Sequence, residues 1–239
     1  MADLHLHTAL SPCASPDMTP PRIVREAQGQ GLRMIAVCDH NSTGNTRAVA
    51  EAAGQVLTVI PGMEITTAEE VHVLGLFPSQ EAADQAGERV RAGLLAWAPP
   101  RGCTQQRLLD PQGRIVGYES HLLAGSSGLS LGEAVELIRS LGGLAVASHV
   151  DRRAFSVIGQ LGFIPAEVRF DALEISAAGA ARGRAMDFLP TGLPLLCSSD
   201  GHSPEEVGAG YTNLEAEEAS FAELALALRG EGGRRCSVA

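Results

Sequence analysis

The sequence predicts an α/β protein built on a parallel sheet or barrel. Short apolar runs typical of buried strands alternate with segments patterned as helices, which is the order of a parallel α/β fold. Five of the seven histidines lie at or just past the carboxyl ends of such runs, and a sixth lies within another run. In α/β barrels these strand ends meet at one rim, where functional sites are assembled. With 239 residues, 45% of them hydrophobic, the chain is long enough for one large globular domain.

The order of the elements follows from apolar runs and helix caps. The predicted strands cover residues 3–8, 33–38, 56–60, 71–77, 144–148, 172–176 and 193–199. The predicted helices cover residues 20–29, 46–53, 79–97, 130–141 and 217–228. Thr19 is a good N-cap for the first helix, and Ser130 and Glu133 form a capping box at the start of the fourth. Residues 79–143 interrupt the strand rhythm, so we expect a mostly helical insertion there, with plain connecting structure as the alternative.

The first strand carries His5 and His7, which are separated by one residue. Because side chains of a strand alternate between its faces, both imidazoles point the same way, as two ligands of one metal ion would. An edge strand with two incidental histidines is the alternative. Glu64 and Asp200 also end apolar runs, and they add the oxygen ligands that let several divalent cations lie close together.

Two other kinds of metal hydrolase site do not fit the sequence. A metallo-β-lactamase-like site needs the pattern H-x-H-x-D-H, but Thr8, Ala9 and Leu10 follow His7. Many binuclear amidohydrolases bridge their metal ions with a carboxylated lysine, and this chain contains no lysine. A glutamate would have to bridge instead, and Glu64 is placed to do so.

The composition limits the partners of the chain. The formal net charge is −10 and all 18 basic residues are arginines, which argues against an extended nucleic-acid surface. No run approaches the roughly 20 apolar residues of a membrane span, and no basic and apolar leader opens the chain. We therefore expect a cytoplasmic protein without membrane contact. The five cysteines, at positions 13, 38, 103, 197 and 236, form no C-x-x-C pair, which argues against a disulfide framework or a structural zinc site.

A series of motifs along the chain resembles the PHP (polymerase and histidinol phosphatase) superfamily. The motifs are DLHLHT, AVCDHNS, PGMEIT, VHVLGLF, ASHVD and SSDGH, and they extend from residue 3 to residue 202. The resemblance implies a distorted (β/α)7 TIM-like barrel with two or three divalent metal ions at its carboxyl rim. Zinc, manganese and iron all suit such ligands. The resemblance also implies hydrolysis of phosphoesters.

The resemblance assigns ligands to three metal ions. The first ion would be held by His5, His7, Glu64 and Asp200. The second ion would be held by Glu64, as a bridge, and by His72 and His149. The third ion would be held by His40, His202 and one residue of the loop after His7.

That loop departs from the family pattern. Many relatives carry Asp or His five or six residues past the second histidine, where this chain has Pro12 and Cys13. Asp17 is the nearest carboxylate and Cys13 is the nearest soft ligand. We favour Asp17 as the loop ligand.

The expected reaction is hydrolysis of a small phosphomonoester or nucleotide by attack of a metal-bridging hydroxide. His202, or the third metal ion, would lie near the leaving oxygen. Arg152 or Arg153 would bind the phosphate, since guanidinium groups match phosphate oxygens; a solvated surface pair is the alternative. Asp39 would orient His40 or accept a hydrogen bond from another ligand histidine, or it would cap the following turn.

Two other functions stay open. One is a 3′-5′ exonuclease of short oligonucleotides, which a positive stripe of arginines from residues 79–143 would favour. The other is a metal-stabilised binding or regulatory module without turnover, against which the full set of ligands argues. We place the metal-binding barrel in residues 1–78 and 144–239, and a helical insertion over its active-site rim in residues 79–143.

Overall fold

The structure, a computed structural model, describes residues 1–98 and 105–238. The strands are β1 (Ala2–Leu6), β2 (Met34–Val37), β3 (Thr58–Thr66), β4 (His72–Leu76), β5 (Arg107–Leu109), β6 (Ile115–Tyr118), β7 (Leu144–Ala147), β8 (Ala172–Ser176), β9 (Leu195–Ser198), β10 (Thr212–Glu215) and β11 (Arg235–Val238). The helices are α1 (Pro20–Gly29), α2 (Thr46–Ala53), α3 (Gln80–Arg91), α4 (Leu131–Ser140), α5 (Val157–Leu161), α6 (Ala177–Ala181) and α7 (Phe221–Arg229). Short 3-10 helices cover Arg184–Thr191 and Pro204–Glu206.

The strands β1 to β4 and β7 to β9 wrap into a nearly closed barrel. The order in the sheet is β11-β10-β1-β2-β3-β4-β7-β8-β9, with β1, β2 and β3 parallel and β7, β8 and β9 parallel. The two ends of the barrel wall meet where Leu6 bridges Gly201, and the backbone N–H of His7 donates to the Gly201 carbonyl at 3.0 Å. The antiparallel pair β10 and β11 extends the sheet from the outer edge of β1. This arrangement confirms the distorted TIM-like barrel.

The strand β4 runs antiparallel to both of its neighbours, which corrects the parallel arrangement predicted from the rhythm of strands and helices. Only residues 67–71 separate β3 from β4, whereas a parallel crossover needs about a dozen residues or more. The reversed direction brings the amino end of β4, with His72, to the rim where the parallel strands have their carboxyl ends. The direction of β4 therefore explains why His72 begins its strand while the other histidines follow theirs.

Apolar side chains fill both sides of the barrel wall. Inward-facing residues such as Leu4, Ala36 and Leu74 form the interior, and Leu224 and Leu228 of α7 close the amino end of the barrel. Residues of the opposite face pack beneath the surrounding helices. The carboxyl rim is therefore the open end of the barrel.

Residues 79–143 contain two helices and a β-hairpin, and the hairpin lies where a linker between two helices is predicted. Helix α3 ends at Arg91, six residues earlier than predicted. Helix α4 begins with the predicted capping box, in which Ser130 Oγ accepts from Glu133 N and the Glu133 carboxylate accepts from Ser130 N. Both helices pack on the outer face of the sheet through residues such as Ala86 and Ile138. They occupy the place of barrel helices.

The hairpin of β5 and β6, together with the residues that follow it, contacts the loops at the rim. Arg107 N donates to the carbonyl of Ala9 at 3.1 Å, and the Asn45 side-chain amide donates to the carbonyl of Arg107 at 3.0 Å. Leu123 packs in a small apolar cluster with Leu10 of the loop after β1. The division of the chain into a barrel and an insertion over the rim stays a prediction.

The described cysteines are free thiols at scattered positions. Cys38 and Cys197 are buried, Cys236 is half-buried and Cys13 is exposed, while Cys103 lies outside the described residues. Within residues 1–98 and 105–238, we find no helix with the length and apolar character that a membrane crossing requires.

Candidate metal centre

Six histidines and two carboxylates meet at the carboxyl rim of the barrel. Their donor atoms lie within 4.8 Å of one another in three groups. The groups are His5, His7, Glu64 and Asp200; His40, Glu64 and His72; and His7, His40 and His202. His149 adjoins the second group, with Nε2 3.2 Å from Glu64 Oε1. The structure thus brings together all of the predicted ligands except Asp17.

A bulge in β1 directs His5 to this site, on the same side as His7, which follows the strand. Relative to β2, β1 contains one extra residue between Asp3 and Leu6. An extra residue interrupts the alternation of side chains between the two faces of a strand. Leu4 packs in the barrel interior, and the next residue, His5, also points inward, beside His7.

The imidazoles of His5 and His7 present their Nε2 atoms to one point. His5 Nδ1 donates to the carboxylate of Glu174, 3.0 Å from Oε2. His7 Nδ1 donates to Ser11 Oγ at 2.9 Å, because the hydroxyl proton of Ser11 is directed to Asp39 Oδ1 at 2.7 Å. In the neutral rings both Nε2 atoms are therefore unprotonated acceptors, and they lie 3.2 Å apart.

Asp200 adds a third acceptor at the same point. Its Oδ1 lies 3.0 Å from His7 Nε2 and 3.3 Å from His5 Nε2, and its side chain is only 8% exposed. Burial would raise the pKa of Asp200, but His5 and His7 outweigh burial and hold that pKa well below its ordinary value. When both imidazoles are neutral, these three buried acceptors have no proton between them, and a bound cation would compensate them. Two imidazoles and a carboxylate are a donor set that fits a divalent metal ion.

The buried carboxylate of Glu64 lies between the groups. Its oxygens lie within 3.5 Å of nitrogen atoms of five histidines. These are His5 and His7 at 3.5 Å, His149 at 3.2 Å, and His40 and His72 at 2.9 Å. Burial would raise the pKa of Glu64, but the charges of the surrounding imidazoles, His72 first, lower it well below its ordinary value. The oxygen Oε1 faces His72 and Oε2 faces His40, which supports the expected bridging role.

His72 is held against an aromatic side chain. Its ring stacks on Phe155 with 4.6 Å between the ring centroids, and its backbone N–H donates to the Phe155 carbonyl at 2.8 Å. Burial lowers the pKa of His72 more than its interaction with Glu64 raises it.

The third group lies beside the loop that follows β1. His202 Nδ1 donates to the backbone carbonyl of Asp200 at 2.7 Å, which leaves Nε2 free. Burial would raise the pKa of the Cys13 thiol, but interaction with His202 and His40 lowers it to about 7. Asp17 is exposed and its carboxylate belongs to none of the three groups. The structure thus places Asp17 away from the centre, contrary to expectation, and places Cys13 beside it.

Several known proteins are similar in sequence to parts of this chain. A family model described as PHP-associated matches residues 184–231, which include Asp200 and His202. A 5′-3′ exoribonuclease from Haemophilus influenzae is 33% identical over 78 residues, which are 31% of this chain and 27% of that protein. A 3′,5′-nucleoside bisphosphate phosphatase from Chromobacterium violaceum is 29% identical over 108 residues, which are 43% of this chain and 37% of that protein. These matches support the resemblance of the chain to the PHP superfamily.

Solved structures share the fold of this chain. Endonuclease Q from Pyrococcus furiosus aligns with a TM-score of 0.76 and 21% identity, over 98% of this chain and 57% of that chain. At 21% sequence identity, the similarity to endonuclease Q shows a shared fold alone. The matches to the two curated relatives cover 27% and 37% of their lengths.

Asp39 supports the candidate metal centre through Thr8 and Ser11. Its carboxylate accepts hydrogen bonds from Thr8 N, Thr8 Oγ1 and Ser11 Oγ, each at 2.7 Å. Ser11 Oγ in turn accepts from His7 Nδ1 at 2.9 Å and from His40 N at 3.1 Å. Asp39 therefore acts through Ser11 on the His7 ring and on the backbone of His40, where the sequence predicts that Asp39 orients His40, accepts a hydrogen bond from another ligand histidine or caps the following turn.

Glu174 is not among the residues that the sequence predicts for the site. It lies in β8, and its side chain contacts two of the predicted ligands, His5 and His149. Its side chain is fully buried and contacts His5 Nδ1 at 3.0 and 3.1 Å, and it accepts from His149 N at 3.0 Å. It fixes the tautomer of His5 and the backbone at His149. The sequence feature that points to Glu174 is its position as the single carboxylate in the apolar run ALEIS, because a charge that is buried in a strand needs a partner.

The two predicted phosphate-binding arginines differ in position. The Arg152 guanidinium pairs with Asp200 Oδ2 at the edge of the metal centre, and its side chain is 42% exposed. Arg153 is exposed and has no ion pair within residues 1–98 and 105–238. Only Arg152 is thus placed to contact a phosphate at the centre.

Three residues of the site have a left-handed backbone. The φ angles are 50° at Asn41, 29° at His149 and 51° at Asp200. Such conformations cost about 1–3 kcal/mol each for residues other than glycine, and they cluster at functional sites. The side chain of Asn41 fixes its turn, because it accepts from Thr66 N at 2.9 Å and donates to the Leu123 carbonyl at 2.8 Å.

Proposed function

We propose that this chain is a metal-dependent phosphoesterase that hydrolyses the monoester of a small phosphorylated molecule or nucleotide. The observation that carries the proposal is the convergence of His5 Nε2, His7 Nε2 and Asp200 Oδ1 on one buried point. The carboxylate of Glu64 lies beside this point and faces further histidines. Two or three divalent ions, of zinc, manganese or iron, suit this mixture of nitrogen and oxygen ligands.

The residues of the chain prepare the centre for this reaction. Divalent ions, when bound, lower the pKa of a water molecule that attacks the phosphorus and neutralise charge on the phosphate. Glu174 and Ser11 hold His5 and His7 in the tautomers that leave both Nε2 atoms free for ligation. Arg152 offers N–H donors to the phosphate oxygens at the edge of the centre. His202, whose side chain is 27% exposed, would lie near the leaving oxygen.

Three arginines of residues 79–143 favour a small substrate, because each of them is paired with a carboxylate. Arg91 pairs with Glu119 at 3.2 Å, Arg114 with Asp110 at 2.6 Å and Arg139 with Asp171 at 2.6 Å. Guanidinium groups that are already paired do not form the positive stripe that would follow a nucleic-acid backbone.

An exonuclease acting on short oligonucleotides is the alternative. The 33% identity to a 5′-3′ exoribonuclease favours it. The direction in that name is opposite to the 3′-5′ direction expected from the sequence, so a test needs oligonucleotides that can be degraded from either end.

A phosphate-release screen tests the proposal. Chelated protein receives zinc, manganese or iron and is offered sugar phosphates, nucleotides, histidinol phosphate and short oligonucleotides with 5′ or 3′ phosphates. We expect release from at least one small monoester with metal and none without it. Glu64→Gln should abolish release, whereas Glu136→Gln, on the exposed face of α4, should not. Turnover of oligonucleotides alone would favour the exonuclease, and no release from metal-loaded protein would favour a binding module.

A further inference from the structure

Asp3 is a fully buried carboxylate at the place where the barrel closes. Within residues 1–98 and 105–238, β1 pairs with β2 and β10 but forms no strand ladder with β9, the other end of the barrel wall. An isolated bridge joins Leu6 to Gly201, at the carboxyl end of β1. The closure of the barrel beside Asp3 therefore depends on hydrogen bonds outside a strand ladder.

The carboxylate of Asp3 accepts hydrogen bonds across this closure. Its Oδ1 accepts from Ser199 N at 3.0 Å, and its Oδ2 accepts from Ser199 Oγ at 2.6 Å and from Gly208 N at 2.9 Å. Such donors replace the water that a carboxylate loses on burial. Asp3 thus joins β1 to the segment that follows β9, which carries Asp200.

The residues on both sides of Asp200 are held by these contacts. Ser199 is bound by Asp3, and its Oγ in turn accepts from Gly201 N at 3.1 Å. The Gly201 carbonyl accepts from His7 N at 3.0 Å. Asp200 itself has a left-handed backbone, with φ of 51°, and such a conformation persists only where the surrounding structure fixes it. Asp3 and Ser199 supply part of that constraint.

The position of Asp200 matters because its carboxylate belongs to the first donor group of the metal centre. Its Oδ1 lies 3.0 Å from His7 Nε2 and 3.3 Å from His5 Nε2. Asp3 belongs to none of the donor groups. Its effect on a metal ion would therefore be indirect, through the backbone that places Asp200.

We propose that Asp3 is a positioning residue for the first metal ion and that it acts through Ser199 on Asp200. Glu174 and Ser11 hold the two imidazoles of this site, and Asp3 holds its carboxylate. The inference rests on the metal centre of the proposed function. It concerns the binding of metal, so its test needs no substrate.

Zinc titration of Asp3→Asn and Ser199→Ala by calorimetry tests this role. Asp3→Asn keeps the size of the side chain but replaces one acceptor oxygen by an NH2 group, which would face hydrogen-bond donors. We expect the affinity for one zinc ion per chain to fall by roughly 10- to 100-fold, and the other ions to bind as in wild type. Ser199→Ala keeps its backbone N–H and should weaken that ion less. Because both residues act along one path, the double variant should bind it no more weakly than Asp3→Asn alone.

Glu223→Gln is the matched control. Glu223 is also a buried carboxylate that accepts hydrogen bonds, from Arg234 and Glu217, but it lies in α7 at the amino end of the barrel. Its substitution should lower the thermal unfolding midpoint in chelator without changing zinc affinity. The visible bands of cobalt-substituted protein, which report the geometry of the ligands, should change in Asp3→Asn and stay unchanged in Glu223→Gln.

Equal weakening of every ion, or a loss of affinity that Glu223→Gln reproduces, would show that Asp3 stabilises the barrel without a specific role at the first ion. If Asp3→Asn did not fold, unchanged zinc affinity and an unchanged cobalt spectrum of Ser199→Ala would overturn the inference. Wild-type protein that binds no metal ion would contradict the proposed function as well. Unaltered binding in the folded variants would contradict this inference alone.

Discussion

Glu174 connects two histidines of the metal centre that belong to different segments of the chain. It accepts from His5 Nδ1 and from His149 N, and it is fully buried. Glu174→Gln keeps the shape of the side chain but leaves one acceptor for two donors. We expect zinc affinity to fall by roughly 10- to 100-fold, the usual effect of losing a partner of a ligand histidine. Isothermal titration with zinc measures the change.

Glu136→Gln serves as the control for this substitution, because Glu136 is exposed in α4. Thermal unfolding of both variants in the presence of chelator shows whether the fold is retained. Unchanged zinc affinity in a folded Glu174→Gln protein would rule out the positioning role.

Cys13 and Asp17 offer alternative ligands from one loop. Cys13 interacts with His40 and His202, whereas Asp17 lies away from the donor groups. Thiolates are soft ligands and bind cobalt and zinc readily. We expect cobalt-substituted protein to show a thiolate-to-cobalt charge-transfer band that Cys13→Ser removes and Asp17→Asn leaves intact. A band that survives Cys13→Ser, or one lost with Asp17→Asn, would contradict this assignment.

The role of a single residue could be predicted from the sequence when that residue lies at the end of a predicted strand. His40 and Asp200 directly follow or end apolar runs, and the sequence points to both. Glu174 acts on His5 from 169 residues away, and Ser11 acts on His7 from the loop after β1. Neither residue belongs to a spacing pattern, because its role arises only when separate segments meet in the fold.

The strands of the barrel could be predicted more readily than their directions. Apolar runs mark where β1, β4 and β9 lie, but a run does not carry the direction of its strand. The direction of β4 depends on the short connection over residues 67–71, and the inward turn of His5 depends on a bulge. The hairpin of β5 and β6 lies in a stretch rich in glycine and polar residues, where periodicity gives no signal.

Glu223 of helix α7 forms hydrogen bonds that link this helix to the segment before β11. Arg234 donates Nε and Nη2 to the Glu223 carboxylate at 3.0 and 3.2 Å, and Glu217 N donates to it at 2.8 Å. These hydrogen bonds, from Arg234 first and then from Glu217, lower the pKa of Glu223 below its ordinary value of 4.5. The stabilisation is therefore present above pH 4.5 and is lost as the pH falls below it.

Glu223→Gln should accordingly lower the thermal unfolding midpoint at pH 7, and the difference from wild type should shrink progressively below pH 4.5. Glu231→Gln removes an exposed ion pair with Arg229 and should change the midpoint little. Scanning calorimetry across this pH range provides the measurement. An equal difference at all pH values would show that the Glu223 charge does not stabilise the fold.

The molecule as a whole combines an acidic surface with positive charge confined to a few places. The formal net charge is −10, and the arginines of residues 79–143 named above are paired with carboxylates. Arg152, Arg182 and Arg184 line one cavity beside the rim, where Arg152 pairs with Asp200 and Arg184 with Asp187. A substrate anion would be attracted locally, by divalent ions at the buried ligands, rather than by the field of the whole protein.

Metal titration of chelated protein, with phosphate release and bound metal recorded together, tests most directly whether the buried cluster is a catalytic metal centre. Wild-type protein should be inactive after chelation and should regain activity as two or three ions bind per chain. Glu64→Gln should bind fewer ions and stay inactive, because the shared carboxylate faces both His72 and His40. Full activity in protein shown by elemental analysis to be free of metal, or full activity of Glu64→Gln, would contradict the metal-dependent mechanism.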